Sequence, residues 1–224
     1  MPFNLLKSFL PDQAVPVRIW RGPFRGGRVV MKPRDSLRKI FGLYEHELNP
    51  WLEQALRRVS RVLDVGANDG YFTFGCAAAF RRMGRSGEII CFEPQARHVQ
   101  ELRASVAAQG DSSIQFEIVP ALVGRAQADG VTTLDAWPAN DRRNTLVKID
   151  VEGAELDVVE GASSWLEPSN LFLIEVHQEE TVGKIQEKFS QRNLELKCIR
   201  QRPLPFLGRE QREETNQWLV SRLT

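Results

Sequence analysis

The sequence predicts an α/β fold in which a mainly parallel sheet carries helices on both faces. Short apolar runs typical of buried strands recur along the chain, and stretches with the spacing of amphipathic helices separate most of them. Strands and helices that alternate in this way form right-handed crossover units on a parallel sheet. Because 224 residues are enough for a complete hydrophobic core, we expect one domain spanning 1–224.

The predicted strands are the apolar runs at 61–65, 88–93, 114–119, 145–150 and 171–176. Helical spacing covers 71–82, 95–109, 153–166 and 179–191. Two late strand candidates, 194–201 and 217–222, have no convincing helix between them. They predict an antiparallel pair at one edge of the sheet.

Residues 1–60 are expected to form an N-terminal cap on a cofactor-binding core at 61–224. A loose alternation over 17–32, punctuated by glycine, predicts a small hairpin. Helical spacing over 37–58 follows, with interruptions expected at Gly42 and Pro50.

The N-terminal apolar residues, 3–10, are too few to span a membrane and lack the layout of a signal peptide, although they could form a one-turn amphipathic flap. The three cysteines have no metal-type spacing, and Cys76 and Cys91 fall in predicted core elements. These features favour a cytoplasmic protein without stable membrane insertion.

The overall charge argues against a general nucleic-acid binder. Lys and Arg number 30 against 29 Asp and Glu, which gives a formal net charge of +1. The charge is uneven, because residues 17–40 contain one acid, Asp35. The basic residues of this segment are Arg18, Arg21, Arg25, Arg28, Lys32, Arg34, Arg38 and Lys39. Such a run is usually a solvated face, but it could also form a basic rim that attracts an anionic substrate or a membrane surface.

The turn after the first core strand is the most informative stretch. The strand breaks into Gly66, Asn68 and Gly70, and a helical pattern begins at Tyr71. A strand that turns through small residues into a helix leaves the first N–H groups of that helix facing one spot. Such a turn suits a nucleotide-like ligand, which approaches the backbone closely.

Polar residues also follow other strands at the edge where ligands bind in an open parallel sheet. Glu93, followed by Pro94, ends the second strand, and an acid there is placed to accept hydrogen bonds from both hydroxyls of a ribose. Asp150 ends the fourth strand, and Glu175 and His177 end the fifth.

The composition of the turn favours S-adenosylmethionine over a dinucleotide. A dinucleotide turn reads G-x-G-x-x-G and places a pyrophosphate on the helix N-terminus, whereas this turn has Asp64 leading and Asn68 in its middle. Asp64 could help to hold the cationic amine of a methionine moiety, directly or through water. A nicotinamide-dependent oxidoreductase remains a distant alternative.

Six motifs resemble those of the FkbM-type S-adenosylmethionine-dependent methyltransferases, over residues 28 to 180. They lie at 42–45 (GLYE), 63–72 (LDVGANDGYF), 92–94 (FEP), 133–135 (TLD), 147–155 (VKIDVEGAE) and 174–177 (IEVH). The Lys-Ile-Asp-Val-Glu-Gly run together with the turn containing Asn68 is the specific part of this resemblance.

The resemblance implies a doubly wound, seven-stranded, Rossmann-like class I methyltransferase fold and O-methylation of a small molecule or a sugar-containing acceptor. One departure is the short segment 121–131, where such proteins often carry extra strands. The adenine edge is therefore expected to be open, or covered by Trp137 or another loop.

The expected cofactor contacts are Tyr44, Glu45, Asp64, Gly66, Ala67, Asn68, Gly70, Phe72, Glu93, Pro94 and Asp150. The family keeps the pair Tyr44 and Glu45 at this place, which implies that they fold over the cofactor.

His177 and Asp150 are the expected catalytic residues. A general base must lie near the methyl group, and His177 does so if the fifth strand ends there, although it could equally be a packed strand-end histidine. Asp150 could orient the methionine amine or the acceptor hydroxyl, and Lys148 is expected to form an ion pair with it. His46 and His98 are interpreted as surface residues.

No metal is expected. Asp150, Glu152 and Glu175 could instead hold Mg²⁺, which prefers carboxylate oxygens. However, Glu152 and Glu155 lie where a helix begins, and acids there complement the helix dipole without any metal.

The sequence thus favours a methyltransferase that uses S-adenosylmethionine and acts on a small-molecule or saccharide acceptor rather than on nucleic acid. The alternative is a non-catalytic module that keeps the fold and binds the cofactor or a partner, which the short 121–131 segment motivates. Oligomeric state is not encoded in any motif found.

Overall fold

The computed structural model describes residues 10–110, 112–204 and 217–223. Most of the flap predicted at the N-terminus lies outside these residues. Within the described ranges, no helix has both the length and the apolar character that crossing a lipid bilayer requires.

The described strands are, in chain order, β1 (Val15–Arg18), β2 (Arg28–Met31), β3 (Arg61–Val65), β4 (Gly87–Phe92), β5 (Ile114–Val119), β6 (Leu122–Val123), β7 (Val131–Thr132), β8 (Thr145–Ile149), β9 (Leu171–Val176), β10 (Leu196–Ile199) and β11 (Gln217–Ser221). The helices are α1 (Leu37–Ile40), α2 (Asn49–Arg58), α3 (Tyr71–Arg82), α4 (Ala96–Ala107), α5 (Glu155–Glu160) and α6 (Glu179–Ser190), with single 3₁₀ turns at His46–Leu48 and Ser163–Trp165.

A seven-stranded sheet forms the centre of the fold, in the order β10-β11-β9-β8-β3-β4-β5. The five strands from β9 to β5 are parallel, and β11 runs antiparallel to both β9 and β10. The mainly parallel sheet and the late antiparallel edge pair are both confirmed. Because β3 has β4 on one side and β8 on the other, the strand order reverses at β3.

Helices cover both faces of the sheet and bury a hydrophobic cluster on each side. One cluster contains Trp51 of α2 and Phe74 of α3, and it also includes Phe24 and Val29 of the N-terminal hairpin. The other lies beneath α5 and α6 and includes Phe189. The central strands are apolar on both sides for this reason, as the burial of every residue of β9 illustrates.

The N-terminal segment contains the predicted hairpin, since β1 and β2 pair antiparallel. The helical stretch that follows differs from the prediction in one respect. The chain does break at Gly42, but Pro50 lies in the first turn of α2 and does not interrupt it. Proline is well tolerated there because the N–H that it lacks would have no partner within the helix.

The turn between β3 and α3 depends on a glycine at position 66. Gly66 has φ +78°, and a Cβ built on it would lie 1.9 Å from the carbonyl oxygen of Asp150. The close approach of these two backbones brings the end of β8 against the turn. No other residue type fits at position 66 without separating them.

We expect Gly66→Ala to destabilise the protein by at least about 2 kcal/mol more than Gly84→Ala, because position 66 combines a left-handed backbone with a steric clash. Gly84 is the matched control, because it has φ +66° and a Cβ added to it would meet no atom within 4 Å. Urea unfolding of both variants measures the difference. Equal losses would show that the contact with Asp150 is not a constraint.

Candidate active site

A cleft of about 280 Å³ opens at the carboxyl ends of β3, β4 and β8, where the strand order reverses. Gly66, Asn68, Glu93, Pro94 and Asp150 all line it. These five expected cofactor contacts come from three separate strand ends, and the fold brings them to one place. This is the position at which open α/β sheets bind their ligands.

Glu93 holds the turn and the end of β4 together. Its carboxylate accepts hydrogen bonds from the backbone N–H groups of Asn68 (2.8 Å) and Gln95 (2.9 Å), and the residue is only 4% exposed. Asn68 has φ +50°, a left-handed conformation that asparagine tolerates better than most residues. Each carboxylate oxygen keeps a second lone pair that a ligand hydroxyl can use.

The buried ammonium of Lys148 lies beneath the turn. Its Nζ donates to the carbonyl oxygen of Gly66 (2.7 Å) and lies 3.2 Å from Asp64 Oδ1 and 3.3 Å from Asp150 Oδ2. Burial by itself would lower the pKa of Lys148, but the charges of Asp150, Asp64 and Glu45 outweigh it and hold the pKa well above its ordinary value. The predicted ion pair with Asp150 is present, and Asp64 extends it.

Asp64 does not face the cleft, contrary to its predicted contact with the cofactor amine. The residue is fully buried and does not line the cleft. Its Oδ2 accepts a hydrogen bond from the Thr73 hydroxyl (2.5 Å), and its Oδ1 lies beside Lys148. Its carboxylate is thus enclosed by its own partners and positions the turn from below.

Asp150 is the carboxylate that reaches the cleft. Burial by itself would raise the pKa of Asp150, but the Lys148 ammonium and the His177 ring outweigh it, so the pKa lies below its ordinary value. A hydrogen bond with Glu175 acts in the same direction. Asp150 therefore presents a negative charge to the cleft at neutral pH.

His177 lies among carboxylates, and its protonation state follows from them. A 2.6 Å hydrogen bond between its Nδ1 and Glu155 Oε1 raises the pKa of His177 to about 9, against the opposing effect of burial. The charges of Glu155, Glu175 and Asp150 add to the increase. The ring is therefore an imidazolium at neutral pH, which does not fit the predicted general base, because a base must begin the reaction without the proton.

Two of these carboxylates and the His177 ring form a group that could hold a metal ion. Asp150, Glu175 and His177 each offer one ligand atom, and these atoms lie within 4.8 Å of one another. The Mg²⁺ alternative predicted from the sequence consisted of Asp150, Glu152 and Glu175, whereas the structure groups Asp150 and Glu175 with His177. The Lys148 ammonium and the proton on His177 already supply positive charge here, so these carboxylates do not require a metal.

The other expected contacts surround the cleft without lining it. Ala67 and Phe72 are buried, and Gly70, with φ +82°, begins α3. Tyr44 packs edge-on against Tyr71, with ring centroids 5.7 Å apart. Glu45 acts electrostatically on Lys148. Whether Tyr44 and Glu45 cover a bound cofactor stays a prediction.

His98 and Leu122 are among the residues that line the cleft but were not predicted. His98 was interpreted as a surface residue, but it lines the cleft with its Nδ1 3.7 Å from Glu93 Oε1. Its place in the first turn of α4, directly after the end of β4, was an available signal. Leu122, which is 53% exposed, follows β5 and also lines the cleft. Trp137, which was one expected cover for the adenine edge, does not line it. Applying the strand-end rule to β5 would have found Leu122.

The sheet order, the reversal at β3 and the turn beside Glu93 define a class I methyltransferase fold. Solved structures support it: methyltransferase FkbM from Methylobacillus flagellatus KT has 16% identity and a TM-score of 0.57, and the match covers 74% of this chain and 44% of that one. Putative methylase HI0767 from Haemophilus influenzae has 16% identity and a TM-score of 0.54, and the match covers 94% of this chain and 100% of that one. A putative rRNA-methylase from Clostridium thermocellum has 10% identity and a TM-score of 0.50, and the match covers 78% of this chain and 94% of that one.

The family model of the methyltransferase FkbM domain matches residues 126–197, which include Asp150, Glu175 and His177. The resemblance found in the motifs is thereby confirmed over residues 126–197, and the comparisons support a methyltransferase. No curated protein matches the sequence.

We expect His177 to stabilise the protein most at low pH. Its folded pKa of about 9 lies above the 6.5 of a free histidine, so its contribution is complete below pH 6.5 and is lost as the pH rises through 9. Urea unfolding at several pH values should show the difference in stability between wild type and His177→Gln shrinking over that window. Glu155→Gln should shift the window to lower pH. A difference that is constant with pH would contradict the assignment of the proton.

Proposed function

We propose that the protein is a cytoplasmic enzyme that transfers a methyl group from S-adenosylmethionine to a hydroxyl of a small-molecule or sugar-containing acceptor. The observation that carries this proposal is the position of Glu93, a buried carboxylate that lines the cleft beside the glycine turn. The unpaired buried thiols of Cys76 and Cys91 support a reducing compartment.

The residues of the cleft suit the parts of this cofactor. A Cβ at Gly66 would collide with the Asp150 backbone, so glycine lets the end of β8, with Asp150, lie directly against the turn in the cleft wall. The buried Nδ1 of His98 has no hydrogen-bond partner among the described residues and lies in the cleft wall near Glu93. The exposed side chain of Leu122 offers the apolar surface that a purine would cover.

Glu93 is assigned to the ribose, because its free lone pairs accept from two adjacent hydroxyls while its other bonds keep the carboxylate fixed. The turn at Gly66 and Asn68 is assigned to the methionine end, because both residues line the cleft on either side of the acids Glu93 and Asp150. Asp64 is assigned a positioning role through Lys148 and Thr73.

The bound cofactor would supply an electrophilic methyl group on a sulfonium. Asp150 is assigned to the acceptor hydroxyl: its ionised carboxylate would accept the O–H hydrogen bond, orient the oxygen for in-line attack and take up the proton as the C–O bond forms. The methyl–sulfur bond of the cofactor would break in the same step and leave a neutral thioether. The low pKa of Asp150 makes it a weak base. It therefore suits a reaction in which the acceptor hydroxyl loses its proton only after the C–O bond has begun to form. His177, as an imidazolium, keeps Asp150 ionised and in place.

A small acceptor is proposed over nucleic acid because of charge. The net charge is +1, and the described cleft is lined by Glu93, Asp150 and Glu152 with no lysine or arginine. A phosphodiester backbone binds to lysine and arginine. Similarity in fold to a putative rRNA-methylase leaves this a matter for experiment. Transfer of label from the methyl donor to RNA, with none to small hydroxylated compounds, would reassign the acceptor.

We expect S-adenosylhomocysteine at about 100 times its dissociation constant to stabilise wild type by about 2.7 kcal/mol, since it binds only the folded state. Glu93→Gln should raise that dissociation constant about tenfold or more, because the amide oxygen can accept from only one of the Asn68 and Gln95 N–H groups and the charged contacts with the ribose are lost. Calorimetric titration and melting curves measure both effects. Glu101→Gln, on the surface of α4, is the control. A shift with nicotinamide dinucleotides instead would overturn the cofactor assignment.

We expect Asp150→Asn to lower kcat for release of S-adenosylhomocysteine at least about 100-fold, because the amide cannot take up the acceptor proton. Glu152→Gln removes the same charge from the same cleft, but its side chain is 88% exposed, and its kcat should stay near wild type. His177→Gln should change the pH profile more than the maximal rate. Equal losses in the Asp150 and Glu152 variants would contradict the role of Asp150. Cofactor binding without turnover on any acceptor would favour the non-catalytic alternative.

A further inference from the structure

A second cavity lies at the opposite end of the sheet from the active-site cleft. It has a volume of about 630 Å³ and is lined by the last turn of α2, the last turns of α3 and the loop that joins β1 to β2. Helix α3 begins at the active-site turn and ends at this cavity. Its 12 residues correspond to a separation of about 18 Å, so the two sites do not overlap.

Four guanidinium groups line this cavity: Arg25, Arg57, Arg82 and Arg85. Two of them are fixed by backbone carbonyls. Arg85 donates to the carbonyl oxygens of Leu56, Arg57 and Val59 at the end of α2. Arg82 donates to the carbonyl oxygens of Pro23 and Arg25 in the hairpin loop. The positive charge of both groups is thus held in place without a carboxylate.

The positive charge in this cavity is unbalanced. In the part of the chain that the structure describes, none of the four guanidiniums forms an ion pair with a carboxylate. Glu53 is the one acid in the lining. At the same end of the sheet, by contrast, Arg61 pairs with Glu88 at 2.5 Å. The cavity thus brings four guanidiniums without a carboxylate partner among the described residues to one place.

The arginines also repel one another. Burial is the largest cause that lowers the pKa of Arg82, and the charge of Arg25 lowers it further, while Glu53 only partly offsets these effects. The carbonyl groups at the end of α2 account for Arg85, and those of the hairpin loop account for Arg82. Arg25 and Arg57, which are exposed and form no ion pair with any described residue, have no such explanation.

We propose that this cavity binds a compact phosphate anion of the pyrophosphate type, independently of the methyl-transfer site. Planar guanidinium groups bind phosphate oxygens in pairs, and two of these groups are already immobilised, which reduces the entropy lost on binding. The four groups surround a concave cavity, which fits a compact anion. An extended polyanion would instead need a basic stripe across a surface. The bound anion joins the hairpin loop to the ends of α2 and α3.

Titration with sodium tripolyphosphate at constant ionic strength tests this proposal, followed by calorimetry and by melting temperature. We expect saturable binding to wild type with a rise in melting temperature. Arg25→Gln/Arg57→Gln should weaken binding at least about tenfold, because each substitution removes a charged partner but no bond that the fold uses. Glu53→Gln should tighten binding, because it removes the one negative charge of the lining.

The matched control is Arg103→Gln/Arg192→Gln, which removes the same charge from exposed positions elsewhere. Unchanged binding in this control, together with weaker binding in the Arg25/Arg57 variant, would support the site. Equal weakening in both would overturn it, as would no saturable binding at millimolar tripolyphosphate. Binding of a single-stranded RNA oligonucleotide alone would also overturn it. Cofactor affinity should be the same in all these variants, which separates this test from that of the proposed function.

Discussion

The buried ammonium of Lys148 is the interaction on which the rest of the site depends. In the register of the sheet, Lys148 on β8 lies beside Asp64 on β3, and its Nζ reaches up to the carbonyl oxygen of Gly66. One positive charge thus joins two strands, the turn between β3 and α3, and the acid at the end of β8. Removing one partner of a buried ion pair costs about 3–5 kcal/mol, because the remaining charge is left without compensation. The backbone of the cleft is therefore stabilised electrostatically as well as by packing.

The charges around Lys148 form two layers with different access to water. The lower layer, Asp64 with Thr73, is fully enclosed and keeps one geometry. In the upper layer Asp150 lines the cleft, and His177, which Glu155 holds, lies beside it. The Lys148 ammonium lies beside both Asp64 and Asp150, so one positive charge compensates two carboxylates that lie close together. This arrangement separates the group that shapes the turn from the group that meets a ligand.

The sequence carried most of the fold but less of the site. Alternating strand and helix patterns and the glycine turn are local signals, so the parallel sheet, its antiparallel edge and the position of the cleft could all be predicted. The proton on His177 could not, because it depends on the distance to Glu155, which only the packing of α5 against β9 determines. The enclosure of Asp64 has the same origin, since Thr73 closes over it from the neighbouring helix. Long-range geometry sets protonation and access, and residue spacing does not encode it.

Glu93 has a consequence for how methyl-donor sites of this type can diversify. The carboxylate that faces the cleft also holds the turn through Asn68, so a substitution there alters ligand affinity and backbone conformation together. Leu122 on the opposite wall belongs to the two-residue strand β6, which pairs only with β7. Mutations at Leu122 alter the wall without breaking a bond that the turn requires. Changes in ligand preference are thus accessible from the side of β6, whereas the Glu93 side stays fixed as long as the fold does.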